Sequence, residues 1–92
     1  MRFEWDEKKA IGNLAKHGVS FEEAATVFGD TLSDTFDDPD HSAEERRFII
    51  TGVSGEGRML IVAHTDDGEV VRIISAREPT RGERKSYEES RD

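Results

Sequence analysis

The chain has 92 residues, no cysteine and a formal net charge of −8, which points to one small domain and excludes a disulfide framework, a thiolate metal site and a thiol nucleophile. No apolar run approaches the ~20 residues of a membrane span, and the polar opening Met1-Arg2-Phe3-Glu4-Trp5-Asp6 is unlike a signal peptide, so a reducing cytoplasm is expected. The acidic total speaks against phosphate binding as a global property, but the charge is uneven: residues 31–45 carry six acidic groups and no basic one, whereas residues 46–92 carry nine of each.

Residues 2–5 read as a short strand. Asp6 caps a helix predicted over residues 7–17, with Ile11, Leu14 and Ala15 as its apolar stripe. Gly18 suits the left-handed position after the helix, with Val19 within reach of Leu14. Ser20-Phe21-Glu22-Glu23 has the pattern of a capping box and opens a second helix to about Phe28, whose apolar face is Phe21, Ala24, Ala25 and Phe28. Gly29-Asp30 ends it. Leu32 and Phe36 then alternate with polar residues as in a half-exposed strand that Pro39 stops. Three more strands are predicted at 47–53, 59–65 and 70–76, separated by Ser54-Gly55-Glu56-Gly57 and by the hairpin signal Asp66-Asp67-Gly68. Their apolar runs suit central positions in a sheet. After Pro79, Thr80-Arg81-Gly82-Glu83 is a second capping box, opening a charged helix to about Tyr87. The expected fold is α+β in the order β-α-α-β-β-β-β-α, an antiparallel sheet with helices packed on one face as a two-layer sandwich, in a single domain over residues 1–92.

The acidic segment, residues 34–45, has three readings: a solvated loop that aids solubility, a docking surface for a basic partner, and a metal site. Asp34, Asp37, Asp38, Asp40 and His41 include suitable ligand types, but the segment lacks the spacing and central glycine of a calcium loop. His17 ends the first helix, where an imidazole either serves as acid–base group or simply caps carbonyls. Arg46, Arg47, Arg72, Arg77, Arg81 and Arg84 form a suggestive set. An arginine inside an apolar strand, as at Val70-Val71-Arg72-Ile73-Ile74, needs a carboxylate partner or a phosphate. Tyr87 either stacks on a base, donates a proton or packs its helix; Trp5 reads as a packing anchor and His64 as a satisfied strand histidine. No serine-nucleophile elbow, phosphate-binding glycine loop or zinc motif is present. Histidine, lysine, arginine and tyrosine suffice for one reaction, the transesterification of RNA, whose nucleophile is the substrate's own 2′-hydroxyl.

The segments Phe3-Glu4-Trp5-Asp6, Lys9, Asn13 and Lys16-His17-Gly18-Val19-Ser20-Phe21-Glu22-Glu23-Ala24 resemble the start of the BrnT toxin family. Glu45, Arg47 and Gly52 extend the likeness, and Arg72-Ile73-Ile74-Ser75-Ala76-Arg77 followed by Thr80-Arg81, Glu83-Arg84 and Tyr87-Glu88 carries it furthest. The resemblance spans about residues 3–89. It implies a RelE-like ribonuclease fold and RNA cleavage that inhibits translation. It also implies a BrnA-like ribbon-helix-helix antitoxin through which the complex binds promoter DNA. The transesterification scheme requires no metal, no cofactor is expected, and without an apolar span no membrane partner is expected. Its matching polar positions are Lys9, His17, Arg47, Arg72, Arg77 and Tyr87. Arg72 and Arg77 are expected at the scissile phosphate, His17 or Tyr87 as proton-transfer groups, and Lys9 and Arg47 in substrate binding. The alternatives are a catalytically weak binding module that acts through an antitoxin, and an unrelated small α+β domain.

Overall fold

A computed structural model describes residues 1–38, 40 and 45–90. The chain runs β1 (Arg2–Glu4), α1 (Glu7–His17), α2 (Phe21–Thr26), a 3-10 turn (Val27–Gly29), β2 (Asp34–Asp37), β3 (Phe48–Val53), β4 (Met59–Asp66), β5 (Val70–Arg77) and α3 (Arg81–Glu89). Pro39, His41 and Glu44, to which strand ending, metal binding and partner docking were assigned in part, lie outside the described residues.

The helix ends are chemically determined. Asp6 Oδ1 accepts from the Lys8 amide at 3.1 Å to start α1, and Gly18, at φ 69°, closes it by donating to Leu14 O at 2.9 Å. Ser20 Oγ accepts from the Glu23 amide at 3.0 Å to start α2. The reciprocal half of that expected capping box is missing, because the Glu23 carboxylate turns inward to Ser54 and Arg58. The box at Thr80 and Glu83 is complete. The apolar stripe foreseen for α1 is displaced: Ala10 and Asn13 are buried, while Ile11, Leu14 and Ala15 are exposed. The buried face is offset by one residue, about 100° around the helix axis, from the expected stripe, because the Asn13 amide reaches Val19 and Ala76.

The five strands form one sheet in the order β1-β5-β4-β3-β2. β2 through β5 are an antiparallel meander, but β1 pairs parallel with β5, so the sheet is mixed rather than antiparallel. Hairpin turns dictate antiparallel pairing only between strands that they join; β1 opens the chain, before the helices, and lies at the sheet edge beside β5, so no local signal sets its direction. Ile50, Leu60, Val62, Ile73 and Ala76 point to one face, where they meet Ala10, Val19, Phe21, Ala24 and Val27 in the core. Trp5 packs edge-on against Phe21 at 6.0 Å. His64 is buried between Phe28 and Phe48, with ring centroids at 4.7 and 5.8 Å. Burial pushes its imidazole below the ordinary value, which makes it a neutral core group.

The helices do not all share that face. α1 and α2 cover the core side, whereas α3 lines a groove with Asp34, Phe36, Thr51 and Ile61. Those four alternate with the core-facing residues and therefore belong to the opposite face. The expected one-sided two-layer sandwich is corrected accordingly: α3 leans over the second face of the sheet.

Candidate functional site: the open face of the sheet

Five residues separate Arg72 from Arg77, an odd spacing that would put them on opposite faces of a regular strand. A bulge changes that. Ile73 pairs with His64 and Ser75 with Ala63, so Ile74 has no partner in the β4–β5 ladder. Arg72 then lies beside Thr65 and Arg77 beside Ile61. Thr65 and Ile61 are four residues apart on β4, so both arginines project from the same open face, roughly 13 Å from one another along the strand. Arg47, just before β3, alternates with the core-facing Phe48 and joins this face at the Arg72 end.

Each arginine holds a carboxylate. Arg72 donates through Nη2 to Glu45, which Arg47 Nε also approaches at 3.9 Å. Arg77 forms a two-pronged pair with Glu83, Nη1 to Oε1 at 2.7 Å and Nη2 to Oε2 at 2.9 Å. This pair holds the Glu83 carboxyl down at about 2, aided by the Thr80 amide, and raises Arg77 further. The sequence left two readings for these arginines, an acidic partner and a phosphate. The carboxylates are the partners in this structure, and they do not rule out the phosphate. The Arg72 and Arg77 side chains are 43% and 41% exposed, and ion pairs at such sites contribute about 0–1 kcal/mol. A phosphodiester that makes equally good bidentate contacts can displace them.

Tyr87 belongs to the same face. Its hydroxyl donates to Leu32 O at 3.0 Å, and its ring lines the groove of about 740 Å³ between α3 and the sheet with Phe36, Thr51 and Ile61. His17 and Lys9 are not brought there. Both lie on α1, which packs on the core side against β5, and eight residues separate them by about 12 Å along the helix axis. His17 is half-buried at the helix C-terminus beside Lys16, a position where it favours the negative end of the dipole. Among the described residues, no group of three or more histidine or acidic side chains converges as a metal site. Asp37, from the acidic segment, pairs with Arg46 at 3.1 Å, and Arg46 stacks over Phe48 at 5.1 Å.

Three residues of consequence were not among the site residues expected from the sequence. Glu45 and Glu83 hold the arginines of this face; Glu83 was assigned only to the helix cap, and Glu45 only to the acidic segment and the family likeness. Asn13 is the third. Its Nδ2 donates to Val19 O at 2.9 Å and Ala76 O at 2.8 Å, and its Oδ1 accepts from the Ala76 amide at 3.1 Å. β1 covers only Val70–Arg72 of that strand edge. The Asn13 side chain acts as one residue of a missing strand for Ala76, which keeps the end of β5, and with it Arg77, in place.

A family model described as "Ribonuclease toxin, BrnT, of type II toxin-antitoxin system" matches residues 5–83. The chain belongs to the BrnT family of ribonuclease toxins. Among solved structures, the 1.1 Å crystal structure of the Brucella abortus ribonuclease toxin BrnT is similar at a TM-score of 0.68 and 25% sequence identity, over 88% of this chain and 99% of that one. No curated protein sequence gives a significant match. The BrnT match ends at Glu83, and so takes in Arg47, Arg72, Arg77 and both carboxylates that they hold, but not Tyr87. As a member of a toxin–antitoxin family, the chain has an antitoxin as its implied partner. Among the described residues, no helix is long and apolar enough to cross a membrane.

Proposed function

We propose that this BrnT family member is an endoribonuclease that cuts RNA by transesterification without a metal ion. The observation that carries the reading is the placement of Arg47, Arg72, Arg77 and Tyr87 on the same open sheet face, where the bulge at Ile74 brings Arg72 and Arg77 to one side. In the proposed step, the 2′-oxygen attacks phosphorus, the bond from phosphorus to the 5′-oxygen breaks, and a 2′,3′-cyclic phosphate and a 5′-hydroxyl result. Arg72 and Arg77 exchange their carboxylates for phosphate oxygens and neutralise the added charge of the transition state. Arg47 holds the adjoining backbone. Tyr87 is the proton-transfer group, because it shares the arginine face; His17 and Lys9, on the other side of the sheet, are assigned supporting contacts at most.

The finer expectations follow the same reading: a BrnA-like ribbon-helix-helix antitoxin, promoter DNA reached only through that complex, inhibition of translation through RNA loss, a cytoplasmic setting and a RelE-like fold. The acidic stretch, of which Asp34, Asp37, Asp38, Asp40 and Glu45 are described, is proposed as a contact for a basic region of the antitoxin. A second reading, a binding module with little cleavage, draws on the net charge of −8 and on the carboxylates at Arg72 and Arg77.

Induced expression in a host without the antitoxin separates the two. Growth arrest with degraded total RNA for the wild type, and neither for folded Arg72→Ala and Arg77→Ala, is the expected result. Normal growth and intact RNA with soluble, folded wild type would move the conclusion to the binding module.

A further inference from the structure

We propose that Glu83 is a positioning residue for RNA cleavage, which fixes the Arg77 guanidinium and sets Tyr87 over the same sheet face. The inference rests on the ribonuclease reading above and assigns how its parts are held together.

The geometry is that of a junction. Glu83 Oε1 accepts from Arg77 Nη1 at 2.7 Å and from the Thr80 amide at 2.8 Å, and Oε2 accepts from Arg77 Nη2 at 2.9 Å. One carboxylate thus ties the end of β5 to the first turn of α3. It grips the guanidinium end-on, and Arg77 Nη1 also donates to Glu78 O at 3.3 Å. The remaining edge, formed by Nε and its neighbouring Nη, has the fork geometry that matches two phosphate oxygens. A guanidinium gripped at one edge presents the other in a set direction, and loses less freedom when substrate binds.

The same carboxylate governs Tyr87. Residues four apart share a helix face, and Glu83 and Tyr87 are the two residues of α3 that are partly buried while the other seven are exposed. α3 has no fully buried residue to hold it on the sheet. Glu83 on Arg77 and Tyr87 on Leu32 O anchor it to the rest of the fold. Removal of the first frees both the guanidinium and the helix that carries the phenol. Glu83 is itself no proton-transfer group: with its carboxyl held at about 2, it stays ionised across the physiological range.

The test is a double-mutant cycle on cleavage of a short RNA oligonucleotide by the purified full chain. The rate constants kcat and KM are measured for the wild type, Glu83→Gln, Arg77→Ala, Arg72→Ala and the two double variants that contain Glu83→Gln. Glutamine keeps an oxygen for the Thr80 amide, so the helix cap survives, and circular dichroism verifies the fold. Glu83→Gln is expected to lower kcat roughly ten- to a hundredfold with little change in KM. It should do nothing further in the Arg77→Ala background, and should still lower kcat in the Arg72→Ala background, because Arg72 is held by Glu45 and not by Glu83. Equal losses in both backgrounds overturn the proposal, as does a gain in rate, which would make Glu83 an occluding carboxylate.

A wild type that cleaves nothing refutes the ribonuclease reading instead. The positioning claim is then decided by nitrogen-15 spectra. Arg77 Nη–H signals that are resolved and protected in the wild type, and collapse to the free-arginine position in Glu83→Gln, support it; unchanged Arg77 and Tyr87 signals overturn it.

Discussion

Replacement of Asn13 by alanine removes three hydrogen bonds at a place that water does not reach. The amide bridges the end of α1 to Val19 O and to both backbone groups of Ala76, at 2.8–3.1 Å. Ala76 and Val19 have no solvent exposure, and Asn13 has 8%. Each buried polar group left without a partner costs about 1–3 kcal/mol. Allowing for partial relaxation around three such groups, the loss is about 3–5 kcal/mol. A domain of this length is stable by roughly 5–14 kcal/mol, so the variant forfeits a large share. The melting temperature should fall by about 12–40 °C, from about 4–8 °C per kcal/mol at this size. Asn13→Asp is the control: it matches the volume and still accepts from the Ala76 amide, but sets acceptors against two carbonyls. Thermal unfolding followed by circular dichroism and by the fluorescence of Trp5, the single tryptophan, measures both. If each variant melts within about 3 °C of the wild type, Asn13 does not substitute for a strand and the reasoning fails.

Other outcomes follow from the same contacts. A Cβ at Gly52 would sit 2.9 Å from Asp30 Oδ2 and from Ser33 Cβ, and Asp30 is pinned by the Val53 and Leu32 amides. Gly52→Ala should therefore cost about 1–3 kcal/mol, read as a lower urea midpoint; an unchanged midpoint would show that Asp30 yields freely. The buried Glu23 carboxyl is held at about 2 by hydrogen bonds from Arg58 and Ser54, against an ordinary value of 4.5. Its folded value is depressed, so its contribution is full above about pH 4.5 and disappears as pH falls through about 2. Denaturation midpoints should decline across that window, and Glu23→Gln should be less stable at neutral pH with a flatter decline; parallel curves would contradict the linkage. Tyr87→Phe loses one exposed hydrogen bond, worth about 1 kcal/mol or less, yet should slow cleavage roughly a hundredfold or more. Full activity in that variant would remove Tyr87 from proton transfer.

The elements were legible where the signals are local. Asp6, Gly18, Ser20 and Thr80 mark helix ends through side-chain and left-handed caps that operate within four residues, and the Asp-Gly turn at residues 67–68 marks the β4–β5 hairpin. What escaped depends on contacts distant in the chain. The parallel pairing of β1 with β5 is set by packing across nearly seventy residues. The buried face of α1 is chosen by Asn13, whose partners at Ala76 lie sixty-three residues away, against an apolar stripe that pointed elsewhere. α3 lies on the open face because Arg77 and Glu83 pair and Tyr87 reaches Leu32; its charged sequence carries no apolar stripe to say so. At the site, Arg72 and Arg77 were identified, but their common face depends on the bulge at Ile74, for which the uninterrupted run Val70–Ala76 offers no punctuation. Lys9 came from the resemblance alone and His17 also from its place at the end of α1, and the fold sets both on the other side.

The most direct test of the central claim is the chemistry of the cut ends. Purified wild-type chain is incubated with a defined RNA in excess chelator, and the products are examined for their termini. The account predicts cleavage with a 2′,3′-cyclic phosphate on one fragment and a 5′-hydroxyl on the other, lost in Arg72→Ala and Arg77→Ala. Intact RNA, or cleavage that requires an added divalent cation and leaves a 5′-phosphate, would contradict it.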